Sequence, residues 1–120
     1  MKQKFDFHKV ISILRTSDII SKVEIKDVDE IKGRGVYKLE MRFIQTEEEI
    51  LYSYQFFTDR PIMRWDNAPH YPKIKTYPHH FHMKDGNIIE SELKGNVIED
   101  LQEVLSAIKN VLKEHHFSVS

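Results

Sequence analysis

Apolar and polar residues alternate along two neighbouring stretches of this chain, and this alternation constrains the fold more than any other feature. In residues 37–43 the apolar side chains alternate with Lys38, Glu40 and Arg42, and residues 50–57 repeat the two-residue period. Side chains of a strand point alternately to opposite faces, so both stretches are predicted to be half-buried β-strands. Because only a short turn at residues 46–48 separates them, the strands must be antiparallel neighbours in a meander.

Further strands are predicted on both sides of this pair. Val23 and Ile25 alternate with charged residues, and residues 32–35 carry two glycines that predict a turn into the strand at 37–43. Residues 62–66 follow the next turn as another strand. Residues 80–83 and 88–92 flank Asp85 and Gly86, a dipeptide that is typical of hairpin turns. These segments predict an antiparallel sheet of about five or six strands.

Helical periodicity is confined to the two ends of the sequence. Residues 6–17 carry apolar residues at helical spacing, with Asp6 as the N-cap. Asn96 and Glu99 resemble a capping box, and a continuous apolar stripe follows from Val97 to Leu112. We therefore expect an α+β fold that forms one domain over residues 1–120, with a long C-terminal and a short N-terminal helix on one face of the sheet.

Composition excludes several classes of protein. The 120 residues are 40% apolar and 31% charged, include no cysteine, and carry a net charge of −1. These values indicate a globular chain without disulfides or thiolate metal sites, and whole-molecule attraction to nucleic acid is weak. No apolar run is long enough to span a membrane and no signal-peptide core follows the first residues, so we expect a cytoplasmic protein that does not bind membranes.

The segment from Arg64 to His82 concentrates the residues that could carry chemistry. It reads RWDNAPHYPKIKTYPHHFH and contains four of the seven histidines and three of the four prolines. Histidine can accept or donate a proton near neutral pH, and proline stiffens a loop. Several lysines and arginines accompany the histidines. This segment is therefore the candidate site.

Acid–base chemistry on RNA is the function that these residues favour. Cleavage through the 2′-hydroxyl needs a general base, a general acid and a cation on the phosphate. We predict His70, His80 and His82 as acid–base groups, with Arg64 on the phosphate and Asp66 orienting a histidine. The predicted substrate-binding residues are Asn67, Tyr71, Lys73, Lys75 and Tyr77, of which a tyrosine could stack on a base.

Two alternatives stay open for the same segment. A divalent metal such as zinc needs three or four converging ligands, which could come from His70, His79, His80 and His82, or from Asp66. On a strand, however, His80 and His82 share a face from which His79 points away. The leading expectation is therefore a site without cofactor. The second alternative is a surface loop without catalysis, in which Asn67 belongs to a turn and Trp65 packs in the core.

The segment also resembles the signature of the TumE-like toxin family. The shared pattern is an arginine, an aromatic residue, Asp-Asn and a later group of histidines, and it matches at Arg64, Asp66, Asn67, His70, Pro78, His79, His80 and His82. The resemblance implies a toxin paired with a helix-turn-helix antitoxin. Ribonuclease activity is our inference from the residues and by analogy with small toxins that attack translation. A non-catalytic module that binds protein or nucleic acid is the alternative, and a homodimer through an exposed strand edge is possible.

Overall fold

The computed structural model describes residues 6–17, 22–27, 30–34 and 38–119, with side chains for residues 6–17 and 38–113. Within these ranges an N-terminal helix, a sheet of seven strands and a long C-terminal helix follow one another along the chain. The elements are α1 (Phe7–Thr16), β1 (Lys22–Asp27), β2 (Glu30–Arg34), β3 (Lys38–Gln45), β4 (Ile50–Phe57), β5 (Pro61–Asp66), β6 (His80–His82), β7 (Ile88–Glu90) and α2 (Val97–Val119).

The strands form a single antiparallel sheet in chain order, from β1 at one edge to β7 at the other. The predicted α+β meander with a helix at each end is therefore confirmed. One local prediction is wrong: Lys32, Gly33 and Arg34 belong to β2 rather than to a turn. Each of them pairs with β1 on one side and β3 on the other, and these two ladders outweigh the local turn preference of glycine. Gly35 and Tyr37 lie outside the described residues.

Alternate side chains of the central strands form the core together with both helices. The buried residues of β3, β4 and β5 include Leu39, Met41, Tyr54 and Trp65, and they pack with apolar residues from the two helices. From α1 these are Val10, Ile11 and Leu14, and from α2 they include Leu101, Val104 and Ile108. Full burial of one such side chain is worth about 1.5–3 kcal/mol relative to exposure. The helices thus cover one face of the sheet, and the core lies between the two layers.

Local sequence signals account for the ends of the elements. The carboxylate of Asp6 accepts from the backbone N–H of Lys9 and starts α1, as predicted. The side-chain oxygen of Asn96 accepts from the N–H of Glu99 at the start of α2. Gly86 adopts a φ of 92° in the turn between β6 and β7, a conformation that favours glycine. The two caps thus mark where the helices begin, and the turn at Gly86 joins β6 to β7.

Candidate functional site

The register of the strands places two rows of polar residues on the sheet face opposite the helices. One row runs from Arg42 through Ser53 and Asp66 to His80, across β3 to β6. The parallel row consists of Glu40, Gln55, Arg64 and His82. Side chains two residues apart on a strand share a face, so both rows lie on the same side. We call this the open face, and the predicted site lies at its β5–β6 end.

The Asp66 carboxylate is the point on which this end of the open face converges. Arg64 Nε donates to Asp66 Oδ2 at 2.9 Å, and His80 Nε2 lies 2.9 Å from Oδ1. His82 Nε2 lies 3.3 Å from Oδ2, and the backbone N–H of Ala68 donates to Oδ1. Asp66 is only 5% exposed. A buried carboxylate is tolerated only with such partners, so Asp66 depends on these neighbours as much as it orients them.

His80 is held from both sides of its ring. It is 1% exposed, and its Nδ1 lies 3.0 Å from the backbone oxygen of Pro78. Because a carbonyl oxygen only accepts, Nδ1 carries a proton in this arrangement. Nε2 then faces Asp66 either with a second proton or with a lone pair. His80 is thus oriented as tightly as a metal ligand or a structural imidazole.

His82 lies beside Asp66 and is partly exposed at the surface. Its side chain is 28% exposed, but Nε2 is buried, and its approach to Asp66 Oδ2 at 3.3 Å falls short of good hydrogen-bond geometry. Burial lowers the pKa of His82, and the nearby Asp66 carboxylate opposes that effect. The rings of His80 and His82 lie 4.8 Å apart. A buried polar atom without a hydrogen bond is uncommon and indicates a role that is not purely structural.

Tyr71 closes the cluster from the loop between β5 and β6. Its ring contacts His80 edge-on at a centroid distance of 4.7 Å and lies 6.0 Å from His82. Tyr71 therefore shields the histidines, and its predicted role in stacking a nucleobase remains a prediction.

The structure does not bring every predicted residue to the cluster. His70 is exposed, and the centroid of its ring lies 6.3 Å from that of Tyr71. Lys73, Lys75 and Tyr77 are exposed on the same loop. Among the described residues, the potential metal ligands that converge are Asp66, His80 and His82. These three, with Arg64, form what we call the Asp66 cluster.

Asn67 has a structural role that the sequence did not reveal. Its Oδ1 accepts from the N–H of Tyr52 at 2.8 Å, and its Nδ2 donates to the backbone oxygen of Ile50 at 2.9 Å. The side chain thus replaces a strand residue and extends the pairing of β5 with β4. With both ends of the amide engaged and only 4% of the residue exposed, this position holds the end of the sheet.

His79 lies on the helix-covered side of the sheet, as strand alternation predicted. Its Nδ1 lies 2.8 Å from the hydroxyl of Tyr52, and the two rings stack at an interplanar angle of 17°. Burial, and then the negative charge of Asp100, raise the pKa of Tyr52, so the phenol keeps its proton. We assign the donor role to Tyr52 because a phenol O–H is a stronger donor than an imidazole N–H, and Nδ1 then accepts. Burial also lowers the pKa of His79. His79 therefore cannot join the other histidines around one ion.

A groove of about 240 Å³ opens beside the Asp66 cluster. Polar residues from three strands line it, namely Arg42, Ser53, Arg64 and Asp66, together with apolar residues such as Ile44 and Leu51. Arg42 and Ser53 were missed in the sequence because their closeness to Asp66 depends on strand register. Their alternation with buried residues did place them on the polar face.

Comparisons with known proteins complete the description of the site. No helix in the described ranges combines the length and the apolar character that crossing a membrane requires. Neither the curated proteins nor the solved structures contain a match to the chain. The family model described as "Toxin TumE" matches residues 10–112, which include every strand and the whole Asp66 cluster. The chain therefore belongs to the TumE toxin family and is the toxin of a toxin–antitoxin system.

Proposed function

We propose that this toxin acts on RNA and cleaves its phosphodiester backbone at the Asp66 cluster. The observation that carries the proposal is the position of Arg42 and Arg64 on either side of the groove, next to two histidines and a carboxylate. Groove, cations and titratable groups all lie on the open face, which the helices leave uncovered. This combination suits a polyanion that must be both bound and cut.

Phosphate binding is assigned to the arginines. Arg64 donates a hydrogen bond from Nε to Asp66, and its side chain is 43% exposed. The remaining N–H groups of the guanidinium can therefore reach a phosphate oxygen. Arginine presents several N–H donors in a plane and suits such a shared role better than lysine. Asp66 fixes the orientation of Arg64 and thereby prepares it for the substrate. Ser53 and Arg42 extend the polar surface along the groove.

Proton transfer without a metal is the chemistry predicted from the sequence. Of the two clustered histidines, His82 is the one with an exposed edge, whereas His80 is buried. His82 would therefore meet the substrate, and His80 would act through Asp66 as a positioning residue. His70, on the exposed loop, would supply a second proton-transfer group only if substrate binding brought it to the cluster.

The test compares two arginines of the same strand and its preceding turn. Arg64→Ala is expected to lower RNA cleavage by purified protein at least tenfold, since a hydrogen bond to a charged group is worth about 1.5–3 kcal/mol. Arg60→Ala removes an exposed arginine and serves as the matched control. Growth arrest on induction is measured for the same variants. Equal cleavage by Arg64→Ala and Arg60→Ala, or growth arrest by a parent protein that cuts no RNA, contradicts the proposal.

A non-catalytic binding module is the second candidate, and one observation favours it. The Nε2 atoms of both His80 and His82 are turned toward Asp66, so neither atom faces a bound substrate. A binding module predicts that Arg64→Ala weakens binding to RNA or a partner while the parent cleaves no RNA at any concentration. Binding and cleavage measured on the same RNA therefore separate the two candidates.

The partner follows from the family in outline. A toxin of this family implies an antitoxin. We propose that the antitoxin has a helix-turn-helix fold, that the pair works in the cytoplasm, and that an exposed strand edge can pair with the antitoxin or with a second copy. A neighbouring gene for a small helix-turn-helix protein that co-purifies with this chain would support this. The mass of the purified toxin alone tests the homodimer.

A further inference from the structure

We propose that Asp66, His80 and His82 bind one divalent first-row transition-metal ion, with Zn²⁺ as the reference case, on the open face of the sheet. One ligand atom from each residue lies within 4.8 Å of the other two. Ligands of a single zinc ion at 2.0–2.2 Å are about 3.3–3.6 Å apart in a tetrahedral arrangement. His80 Nε2 lies 2.9 Å from Asp66 Oδ1 and His82 Nε2 lies 3.3 Å from Oδ2, so both imidazoles already face the carboxylate, and rotation of the side chains would bring one atom of each residue to that spacing.

The surroundings of the two histidines match those of metal ligands. The backbone oxygen of Pro78 fixes the Nδ1 proton of His80 and leaves Nε2 for the ion, as carbonyl groups do for ligating histidines. His82 Nε2 is buried and approaches the same carboxylate at 3.3 Å without good hydrogen-bond geometry. An ion at the meeting point of the three side chains would bind both Nε2 atoms, which otherwise face the Asp66 carboxylate.

Arg64 contacts the same carboxylate and has to be accommodated. Its Nε binds Oδ2, which His82 also approaches, whereas His80 faces Oδ1. An ion bound to Oδ1 would leave the hydrogen bond of Arg64 to Oδ2 in place. A hydrogen bond from a neighbouring residue to a ligating carboxylate is common and fixes its orientation. The competing explanation is a purely hydrogen-bonded network in which His80 carries two protons. The experiment below separates these explanations.

The ligand set also limits the class of ion. Two imidazoles and one carboxylate suit zinc, cobalt, nickel or iron in the divalent state, whereas Mg²⁺ prefers oxygen ligands and keeps its waters. Three protein ligands leave at least one position open. Beside a groove lined by Arg42 and Arg64, an ion there would act as a Lewis acid on a phosphate oxygen. It would take over the acid–base role predicted for His80 and His82.

The test measures metal binding without any activity. The full chain is purified without a histidine tag, treated with chelator, dialysed, and titrated with Zn²⁺, Co²⁺ and Mg²⁺ by calorimetry. We expect one equivalent of Zn²⁺, a thermal midpoint that rises with zinc concentration, and a visible absorption spectrum with Co²⁺. Mg²⁺ at the same concentrations should produce no binding heat and no rise of the thermal midpoint.

Matched variants identify the ligands. His82→Ala and Asp66→Asn are expected to weaken Zn²⁺ binding at least tenfold, because each removes one of three ligands. His70→Ala on the exposed loop and the double variant His115→Ala/His116→Ala should bind as the parent does. Circular dichroism in chelator shows whether each variant folds. Because His82 is partly exposed, its variant decides the question even if Asp66→Asn is unfolded.

The outcomes distinguish this inference from the proposed function. Stoichiometric Zn²⁺ binding that His82→Ala abolishes supports the metal site, even if no RNA is ever cut. Absence of binding in the parent, or equal binding by folded His82→Ala, overturns it. RNA cleavage that persists in chelator with metal-free protein also overturns it as a catalytic site and leaves histidine acid–base chemistry in place.

Discussion

Tyr52 and Tyr54 lie two residues apart on β4, both buried and with ring centroids 5.4 Å apart, yet their hydroxyl groups have different surroundings. The Tyr52 hydroxyl donates to His79, whereas the buried Tyr54 hydroxyl has no hydrogen-bond partner among the described residues. Burying an unpaired hydroxyl costs free energy, and a paired one recovers most of that cost. The two phenols therefore contribute to stability with opposite sign.

Substitution of each tyrosine by phenylalanine tests this difference. Tyr54→Phe is expected to raise the free energy of unfolding by about 1 kcal/mol because it removes an unpaired group, and Tyr52→Phe to lower it by about 1 kcal/mol because His79 loses its donor. Urea unfolding followed by the fluorescence of Trp65, the single tryptophan, provides the measurement. A loss of stability in Tyr54→Phe as large as in Tyr52→Phe contradicts the assignment.

Asn67 has hydrogen-bond partners that could not be predicted from the sequence around it. A turn residue or a substrate ligand was a sound expectation for Asn-Ala-Pro after a strand, but the amide pairs with backbone groups 15 and 17 positions earlier. That pairing depends on how β4 and β5 align, and no local pattern encodes the alignment. The local hydrogen bond of a turn is made instead by Asp66, whose Oδ1 accepts from the N–H of Ala68.

Loss of the Asn67 amide should be costly. Asn67→Ala leaves the N–H of Tyr52 and the oxygen of Ile50 without their partner, and we expect a loss of about 1–3 kcal/mol in the free energy of unfolding. RNA cleavage per folded molecule should be unchanged if the role is structural. A stable variant that binds RNA more weakly would instead support the substrate-binding role predicted from the sequence.

At the scale of elements, the sequence predicted the helices and strands in which apolar residues recur at regular intervals. The alternation in β3 and β4 and the apolar stripe of α2 report directly which side faces the core, and the structure confirms these elements. The sequence prediction failed at β2, where Gly33 lies in a stretch without such a period that forms a strand because of its pairing with β1 and β3. The same limit hid Arg42 and Ser53, whose closeness to Asp66 requires the register of three strands.

The loop before α2 is held by another residue that sequence patterns did not identify. The Asp100 carboxylate accepts from the N–H groups of Lys94 and Gly95 at 3.0 and 2.8 Å. Asp100 is 4% exposed, and burial raises its pKa although both amides favour the charged form. An acid with a raised pKa in the folded state binds more protons there than in the unfolded state, so its contribution to stability falls as pH rises.

Unfolding at several pH values tests this account of Asp100. The difference in unfolding free energy between the parent and Asp100→Asn should be largest at acid pH. It should decrease as pH rises from the ordinary aspartate pKa through the raised pKa of Asp100, and stay constant above it. The variant controls for titrating groups that do not interact with Asp100, whereas the pKa of His79 depends on the Asp100 charge. A difference that grows over this pH range would show that the amide contacts outweigh burial.

At the scale of the whole molecule, the two faces of the sheet differ in composition and in what they contact. The helix-covered face holds the core, whereas the open face holds the groove and the Asp66 cluster. The alternation of apolar and polar residues along the strands was enough to predict this division and to place Arg64, Asp66, His80 and His82 on the same face. Their reaction was not predictable, because protonation, metal binding and substrate contact depend on distances of a few tenths of an ångström.

One substitution on each face tests the division. Leu101→Ala, at a fully buried position of α2, is expected to lower the free energy of unfolding by about 2–5 kcal/mol. Arg42→Ala, at an exposed position of the open face, is expected to change it by about 0.5 kcal/mol or less, while RNA binding weakens. Unfolding curves and RNA titrations of both variants provide the comparison. Normal RNA binding by Arg42→Ala would exclude this end of the groove from the substrate path.

The separation of the two faces affects how a cell could escape from such a toxin. If the open face carries the proposed activity on RNA, a random substitution that inactivates it leaves the core intact, so the product would be a folded but harmless protein rather than an aggregate or a protease substrate. Such an inert copy would persist at normal abundance and compete with the active toxin for its antitoxin. Selection for cells that survive toxin expression should therefore recover folded, inactive variants at positions of the open face more often than unfolded variants at positions of the core.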